Sequence, residues 1–343
     1  MGKVVWVFKK VGELLRRYWA ELFAIASLAA LIIGVNPLEL GRVFGRIDWR
    51  IALLMVPIVF ALYLARGTAW HLALRGIGEH IAFRQTQAIE LAGQVMIVLP
   101  MGDLARVAMV RNTDKERGGG AITATVALQE LLFMLFVSFG ALPRLAERPD
   151  VALVMICTML AFLAVFVIML WGAVYERAVR LVEHIKALRR FDQQLHELRP
   201  AFVHLCHPKR LIPIALFQAI AALLSFLLFF LAMRAIGLTS VDYINATFAL
   251  GVSYTFGAIS FLPLGIGAFE GLITVIMLTF GVPAALGAAS GLIYRGYNDV
   301  LMAMVGAGAL VYVRAKQRTG AWRTRRTADA GAGELVASAA TQE

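Results

Sequence analysis

Five ionisable residues interrupt a strongly apolar chain: Asp103, Arg106, Glu130, Glu270 and Arg295. Three of them lie at two similar breaks. Leu99-Pro100-Met101-Gly102-Asp103-Leu104-Ala105-Arg106 and Leu262-Pro263-Leu264-Gly265-Ile266-Gly267-Ala268-Phe269-Glu270 each end an apolar run at Leu-Pro, pass through small residues and reach an acidic side chain. Proline lacks the amide that continues a helix, and glycine admits backbone angles other residues avoid, so Pro100, Gly102, Pro263, Gly265 and Gly267 mark two breaks. In hydrocarbon no water satisfies the backbone groups a break frees, so it must be buried in protein or line a wet cavity. A matched pair of interrupted segments in two halves of a chain points to the binding site of a transporter.

Glu130 and Arg295 lie near the middles of apolar runs, where an ionisable group costs about 2.5–3.5 kcal/mol on insertion scales and is a functional candidate by default. Each follows its Leu-Pro break by a similar interval (100 to 130, 263 to 295). The expectation is that they face one central cavity and pair there. Alternatively, Arg295 is neutralised by Asp299 four residues on, and Glu130 sits in neutral form in a dry core. Asp103, Arg106 and Glu270 read as headgroup-facing charges, or as caps on half-helices at the membrane edge. The exposed N–H groups of half-helix starts would favour a phosphate there.

The elements that must position these residues are membrane helices. The chain is 60% hydrophobic and 16% charged over 343 residues, with a mean hydropathy of +0.76; an ordinary soluble domain carries about 25% charged residues. The net charge of +11 does not point to nucleic acid, because the basic residues fall in loops between apolar runs. Cys157 and Cys206 give no disulfide framework, and His204-Leu205-Cys206-His207 lacks the further spaced ligands of a metal site. No cofactor is expected.

Runs of spanning length predict six transmembrane helices, at 19–35, 51–74, 121–142, 151–175, 211–236 and 285–313. Arg66 and His71 are expected to snorkel at the inner end of the second span. Residues 84–112 and 246–280 have limbs too short to cross and read as re-entrant hairpins, the first entering from the cytoplasm and the second from outside. Residues 1–18 read as a basic amphipathic lead-in, 176–210 as a cytoplasmic amphipathic helix pair, and 314–343 as a basic disordered tail. With this topology 26 of the 33 Lys and Arg fall on the inner side, which places both termini in the cytoplasm of a cell with the protein in its inner membrane. The halves 19–142 and 143–313 then have opposite orientation, an all-α polytopic fold built as an inverted-topology repeat. Gly287 with Gly291, and Gly306-Ala307-Gly308, read as small-residue packing faces.

Taken together, Leu-Pro-x-Gly-Asp-x-x-Arg at 99–106, the span bearing Glu130, the segment 263–270, Gly281-Val282-Pro283 and Tyr294-Arg295 resemble the flippase-like membrane region of lysylphosphatidylglycerol synthases and its stand-alone relatives. The resemblance covers about residues 15–315. Two departures stand out: Glu130-Leu131 replaces the family's Glu-Arg, and Pro263-Leu264-Gly265-Ile266-Gly267 replaces Pro-Gly-Gly-x-Gly. The resemblance implies translocation of a phospholipid or modified lipid headgroup, with membrane lipids and a lipid-synthesis enzyme as partners. It implies no aminoacyl transfer, since no transferase domain follows residue 315. An intramembrane enzyme of aminoacyl-lipid or hopanoid metabolism, or a scaffold for one, is the alternative, but no nucleophile accompanies the carboxylates.

Overall fold

The computed structural model describes residues 37–96, 104–111, 119–183, 192–259, 265 and 267–319, and every regular element among them is helical. In chain order these are α1 (Pro37–Phe44), α2 (Trp49–Gly76), α3 (Phe83–Gly93), α4 (Leu104–Arg111), α5 (Gly119–Phe139), α6 (Leu142–Leu145), α7 (Pro149–Leu170), α8 (Gly172–Glu183), α9 (Asp192–Leu205), α10 (Pro208–Ala235), α11 (Tyr243–Ile259), α12 (Ala268–Thr279), α13 (Ala284–Arg295), a π-helical turn (Gly296–Leu301) and α14 (Met302–Arg318). Five stretches are long and apolar enough to cross a membrane: α2, α5, Val151–Leu170 of α7, α10, and Ala284–Arg318. They correspond to five of the six expected spans. The sixth, 19–35, lies outside the described residues, as do 1–18, 320–343, Pro100, Gly102, Asp103 and Pro263.

Helices α2 and α10 run antiparallel. At one end the Asp48 N–H donates to the Ala235 carbonyl at 2.8 Å; at the other, a Cβ on Gly76 would come within 2.7 Å of Leu205 Cδ2 and 3.4 Å of Arg210 Cδ. Between these ends Met55, Val59, Leu62, Phe229 and Met233 fill the core. The indole of Trp70 donates to Thr125 Oγ1 at 2.9 Å and fixes α5 beside α2, while Ser138 and Thr255 share a 2.8 Å hydrogen bond that fixes α11 beside α5.

Short helices flank both breaks. Past the second break the chain turns back on itself: Gly265, at φ +63°, lies so close to Gly257 that a Cβ would stand 2.9 Å from that residue's carbonyl oxygen. Gly267 follows at φ +86°. Both need backbone angles that L side chains rarely adopt. Gly281, at φ +75°, then ends α12, with the Val282 N–H donating to the Met277 carbonyl, and Pro283 precedes α13.

Three elements differ from expectation. Residues 37–44, expected as loop, form a helix: Pro37 suits a first turn, and Glu39 and Arg42 complement the helix dipole at opposite ends. The expected interfacial pair is helical (α8 and α9), but α9 packs inward, burying Leu198, Phe202 and Leu205 and accepting the Gly120 N–H on Glu197 Oε2 at 3.2 Å. The last span is interrupted by the π-helical turn, a local widening that hydropathy does not register.

Lipid tails are as apolar as leucine, so helices in a bilayer associate mainly through close packing. Gly306 illustrates this: a Cβ there would collide with the Leu91 carbonyl oxygen of α3, whereas Gly308 faces open space. Gly306→Ala is expected to destabilise the fold by about 1–3 kcal/mol through overpacking. Gly308→Ala should be neutral or stabilising by up to about 1 kcal/mol, as helix-interior glycine replaced by alanine. Unfolding of both variants in detergent measures the difference, and equal stabilities would contradict the packing of α14 on α3.

Candidate functional site

Four helices converge on one buried cluster of charges. One face of α2 carries Tyr63 and Arg66, three residues apart. Helix α3 contributes Glu90 and, at its C-cap, Gln94; α4 contributes Arg106, and α5 contributes Gln129 and Glu130. Arg66 Nη2 donates to Glu130 Oε1 at 2.6 Å, and Arg66 Nε lies 3.5 Å from Glu90 Oε1. Arg106 Nη2 donates to the same Glu130 oxygen at 2.8 Å, and Arg106 Nη1 pairs with Glu90 Oε2. Gln129 accepts from Arg106 at 3.3 Å and donates to Glu90 at 3.4 Å.

This geometry depends on a small residue. A Cβ on Gly93 would stand 2.6 Å from Arg106 Cγ, so the arginine stem can cross α3 to Glu90 only over a glycine. Arg106 and Glu90 are fully buried, and Arg66 is 6% exposed. Two guanidinium groups meet two carboxylates, so the cluster is formally neutral, the condition under which buried charge is tolerated.

A second cluster gathers beyond the other break. Arg295, ending α13, pairs through Nε with Glu270 Oε1 at 2.8 Å and through Nη1 with Asp299 Oδ2 at 3.3 Å. The second oxygen of Glu270 accepts the Gly267 N–H at 2.7 Å, so this residue both caps α12 and binds the arginine. Asp299 lies in the π-helical turn, with Oδ1 accepting from Asn298 Nδ2 at 2.7 Å.

Two tyrosines join the clusters. The Tyr63 hydroxyl lies 3.2 Å from Gln94 Oε1 and 3.0 Å from the Asn298 carbonyl, reaching from α3 to the π-helical turn. The Tyr254 ring stands edge-on between Phe133 and Phe269, with centroids 5.9 and 5.8 Å away. The Arg66 guanidinium lies 4.6 Å from the Phe133 ring centre, and that of Arg295 lies 4.6 Å from that of Phe269. An aromatic bridge thus spans the two arginines, one at each cluster, with a cation over each end.

Of the residues singled out by sequence, Arg106 and Glu130 fall in one cluster and Glu270 and Arg295 in the other; Asp103 lies outside the described residues. The expected pairing of Glu130 with Arg295 is replaced: Glu130 binds Arg66 and Arg106, and Arg295 binds Glu270 and Asp299. The contact with Asp299 is the i,i+4 neutralisation the spacing allowed. Arg66 and His71 do not snorkel. Arg66 lies ten residues before the end of α2, roughly 15 Å along the axis, and finds carboxylates at its own depth. His71 shares a 3.1 Å hydrogen bond with Thr86.

Sequence reasoning left out Tyr63, Arg66, Glu90, Gln94, Gln129 and Asn298. Glu90 and Gln94 did carry a signal, being polar residues four apart in an otherwise apolar limb. Among the described residues no group of three or more His, Cys, Asp or Glu is placed to hold a metal. Burial pushes the Cys206 thiol, between α9 and α10, up to about 11.

Breaking a buried ion pair by removing one partner costs about 3–5 kcal/mol. Glu90→Gln, which keeps the side-chain size and removes the charge between Arg66 and Arg106, should lower stability by that amount. Glu147→Gln removes the exposed partner of Arg144 (2.7 Å) and should cost less than about 1 kcal/mol. Thermal unfolding of the two variants in detergent checks the contrast.

Both arginines of the first cluster are already held in place, so the arrangement has the chemistry to bind an anionic group by exchange of ion-pair partners. No curated protein matches the chain in sequence. The lysylphosphatidylglycerol synthase TM region family model matches residues 18–306, most of the chain, so this membrane protein belongs to the lysylphosphatidylglycerol synthase TM region family.

Proposed function

We propose that the protein translocates the headgroup of a phospholipid or modified lipid across the inner membrane, with the acyl chains remaining in the bilayer. The observation that carries this reading is the pair of charge clusters, one beside each break, linked by Tyr63 and by the Phe133–Tyr254–Phe269 bridge. An isolated charge in this setting would be prohibitive. A set of paired charges exists at low cost and can trade partners with a zwitterionic or anionic headgroup. Glu130 is the most accessible member of the first cluster, with its side chain 24% exposed, so a phosphate would displace it first from Arg66 and Arg106. Glu130 is therefore the candidate for coupling to a proton or ion gradient.

The ion pairs support an inverted repeat. Arg106 of α4 binds Glu130 of α5 at 2.8 Å, and Glu270 of α12 binds Arg295 of α13 at 2.8 Å. In each half, the limb leaving the break is tied to the span that follows, with the signs exchanged and nearly equal spacing (106 to 130, 270 to 295). Opposed halves of this kind are the architecture of alternating access at the bilayer midplane. The distribution of Lys and Arg supports cytoplasmic termini. In this reading the protein is a transporter and not an enzyme, and an enzyme that synthesises the lipid is its natural partner.

Reconstituted vesicles with fluorescent lipids test the proposal. Glu130→Gln combined with Arg295→Ala should slow headgroup translocation at least roughly tenfold, the effect of about 1.4 kcal/mol on a barrier. Tyr63→Phe, which keeps every charge, should slow it less. Undiminished translocation in the double variant would remove the clusters from the mechanism. A deletion strain with altered lipid composition and unaltered sidedness would favour the enzymatic alternative.

A further inference from the structure

Away from the clusters, α8 and α9 enclose a cleft of about 330 Å³ lined by Tyr175, Glu176, Val179, Arg180, His196 and Arg199. Its walls are tied together, because the Tyr175 hydroxyl donates to the Leu195 carbonyl at 2.6 Å. Arg199 Nη2 donates to the Leu170 carbonyl at 3.1 Å, closing the carboxyl end of α7, where a cation suits the helix dipole. Gly172 leaves room for this approach, since a Cβ there would lie 2.9 Å from that same nitrogen and displace it. The Arg199 Nε is buried with no hydrogen-bond partner. Among the described residues that line this cleft, two guanidinium groups and an imidazole stand beside one carboxylate, so the charge of this lining complements an anion.

The surroundings of the cleft say where the anion comes from. Helix α7 presents Leu153, Ile156, Leu160, Leu163, Val167 and Leu170 on its outer surface, with Leu153 70% exposed. Successive members are three or four residues apart, so they form one stripe that runs along the helix and ends at the cleft. Trp171, 63% exposed, follows directly, the residue type that marks a membrane–water boundary. A molecule with a negative headgroup and apolar chains matches both parts. An anion without chains matches only one.

We propose that the α8–α9 cleft is a second lipid site, separate from the translocation path, which holds the phosphate of an anionic phospholipid while its chains lie along α7. Arg180 and Arg199 bind the phosphate, and Tyr175 and Val179 form the floor. The site depends on the membrane setting of the chain and not on the transport reading. Bound lipid would brace the amphipathic helix pair against α7, and α9 in turn packs on α5, which carries Glu130.

Native mass spectrometry of the whole protein, released from detergent containing equal amounts of phosphatidylglycerol and phosphatidylcholine, tests this. Phosphatidylglycerol should be retained in preference, and Arg180→Ala should weaken its retention about fivefold, the contribution of one basic residue near an anionic lipid surface. Arg180 is exposed, so its replacement leaves the fold intact; Arg199→Lys, which keeps charge and loses the planar fork, should weaken retention as well. Inorganic phosphate at the same concentration should not displace the lipid. Unchanged retention in both variants would overturn the proposal. Displacement by inorganic phosphate would reassign the cleft to a soluble anion, and a dimer that retains no lipid would reassign the α7 stripe to a second copy of the chain. Retention is read without any transport measurement, so it stands or falls separately from translocation.

Discussion

Placing two guanidinium groups and two carboxylates inside an apolar helix bundle is tolerable only if every charge meets an opposite one at hydrogen-bonding distance. Arg66, Glu90, Arg106 and Glu130 meet that condition with contributions from four helices. Each helix is therefore held in depth and rotation by the others. Sliding α3 or α4 by one residue, about 1.5 Å, would break the contacts of Glu90 or of Arg106 and strand a charge. Hydrophobic burial cannot impose such a register in lipid, where one apolar surface packs much like another. Electrostatic compensation sets the register here, and close approach at glycine makes it geometrically possible.

Chain breaks serve the same end. Helices α3 and α4 are 11 and 8 residues long, and α12 is 12. Such short pieces bring polar side chains and helix ends into the interior without carrying a whole span across. Glu270 shows the economy of this arrangement, with one oxygen capping α12 and the other binding Arg295. The π-helical turn at Gly296–Leu301 works similarly within a continuous span. It places Asp299 on the arginine and the Asn298 carbonyl on Tyr63, and π-bulges are frequent where a helix carries a site. The two clusters are thereby joined through a hydroxyl and an aromatic bridge.

The periphery follows a different rule. Helix α7 buries little of its surface against the rest of the bundle and leaves an apolar stripe outward, while α8 and α9 gather aromatic and basic residues at its end. Interior helices are specified by charge and close packing, and this outer helix by its match to the bilayer.

Much of this was legible in the chain. Composition and run length determine an all-helical membrane protein, because only structures that satisfy their own backbone hydrogen bonds persist in hydrocarbon. Five of the six expected spans are helices long and apolar enough to cross a membrane, but the partners of Glu130 and Arg295 are not the ones the spacing suggested. Identifying which charges bind each other required the tertiary structure. Arg66 reaches Glu130 across 64 positions and Tyr63 reaches Asn298 across 235, and hydropathy along one helix carries no information about what stands opposite it. An arginine ten residues from a helix end reads as a snorkelling side chain until a facing carboxylate is known to lie at its depth. The π-helical turn, too, depends on contacts with α2. Local spacing determines where the helices run and break, and packing between distant segments decides which of their charges are neutralised, and by what.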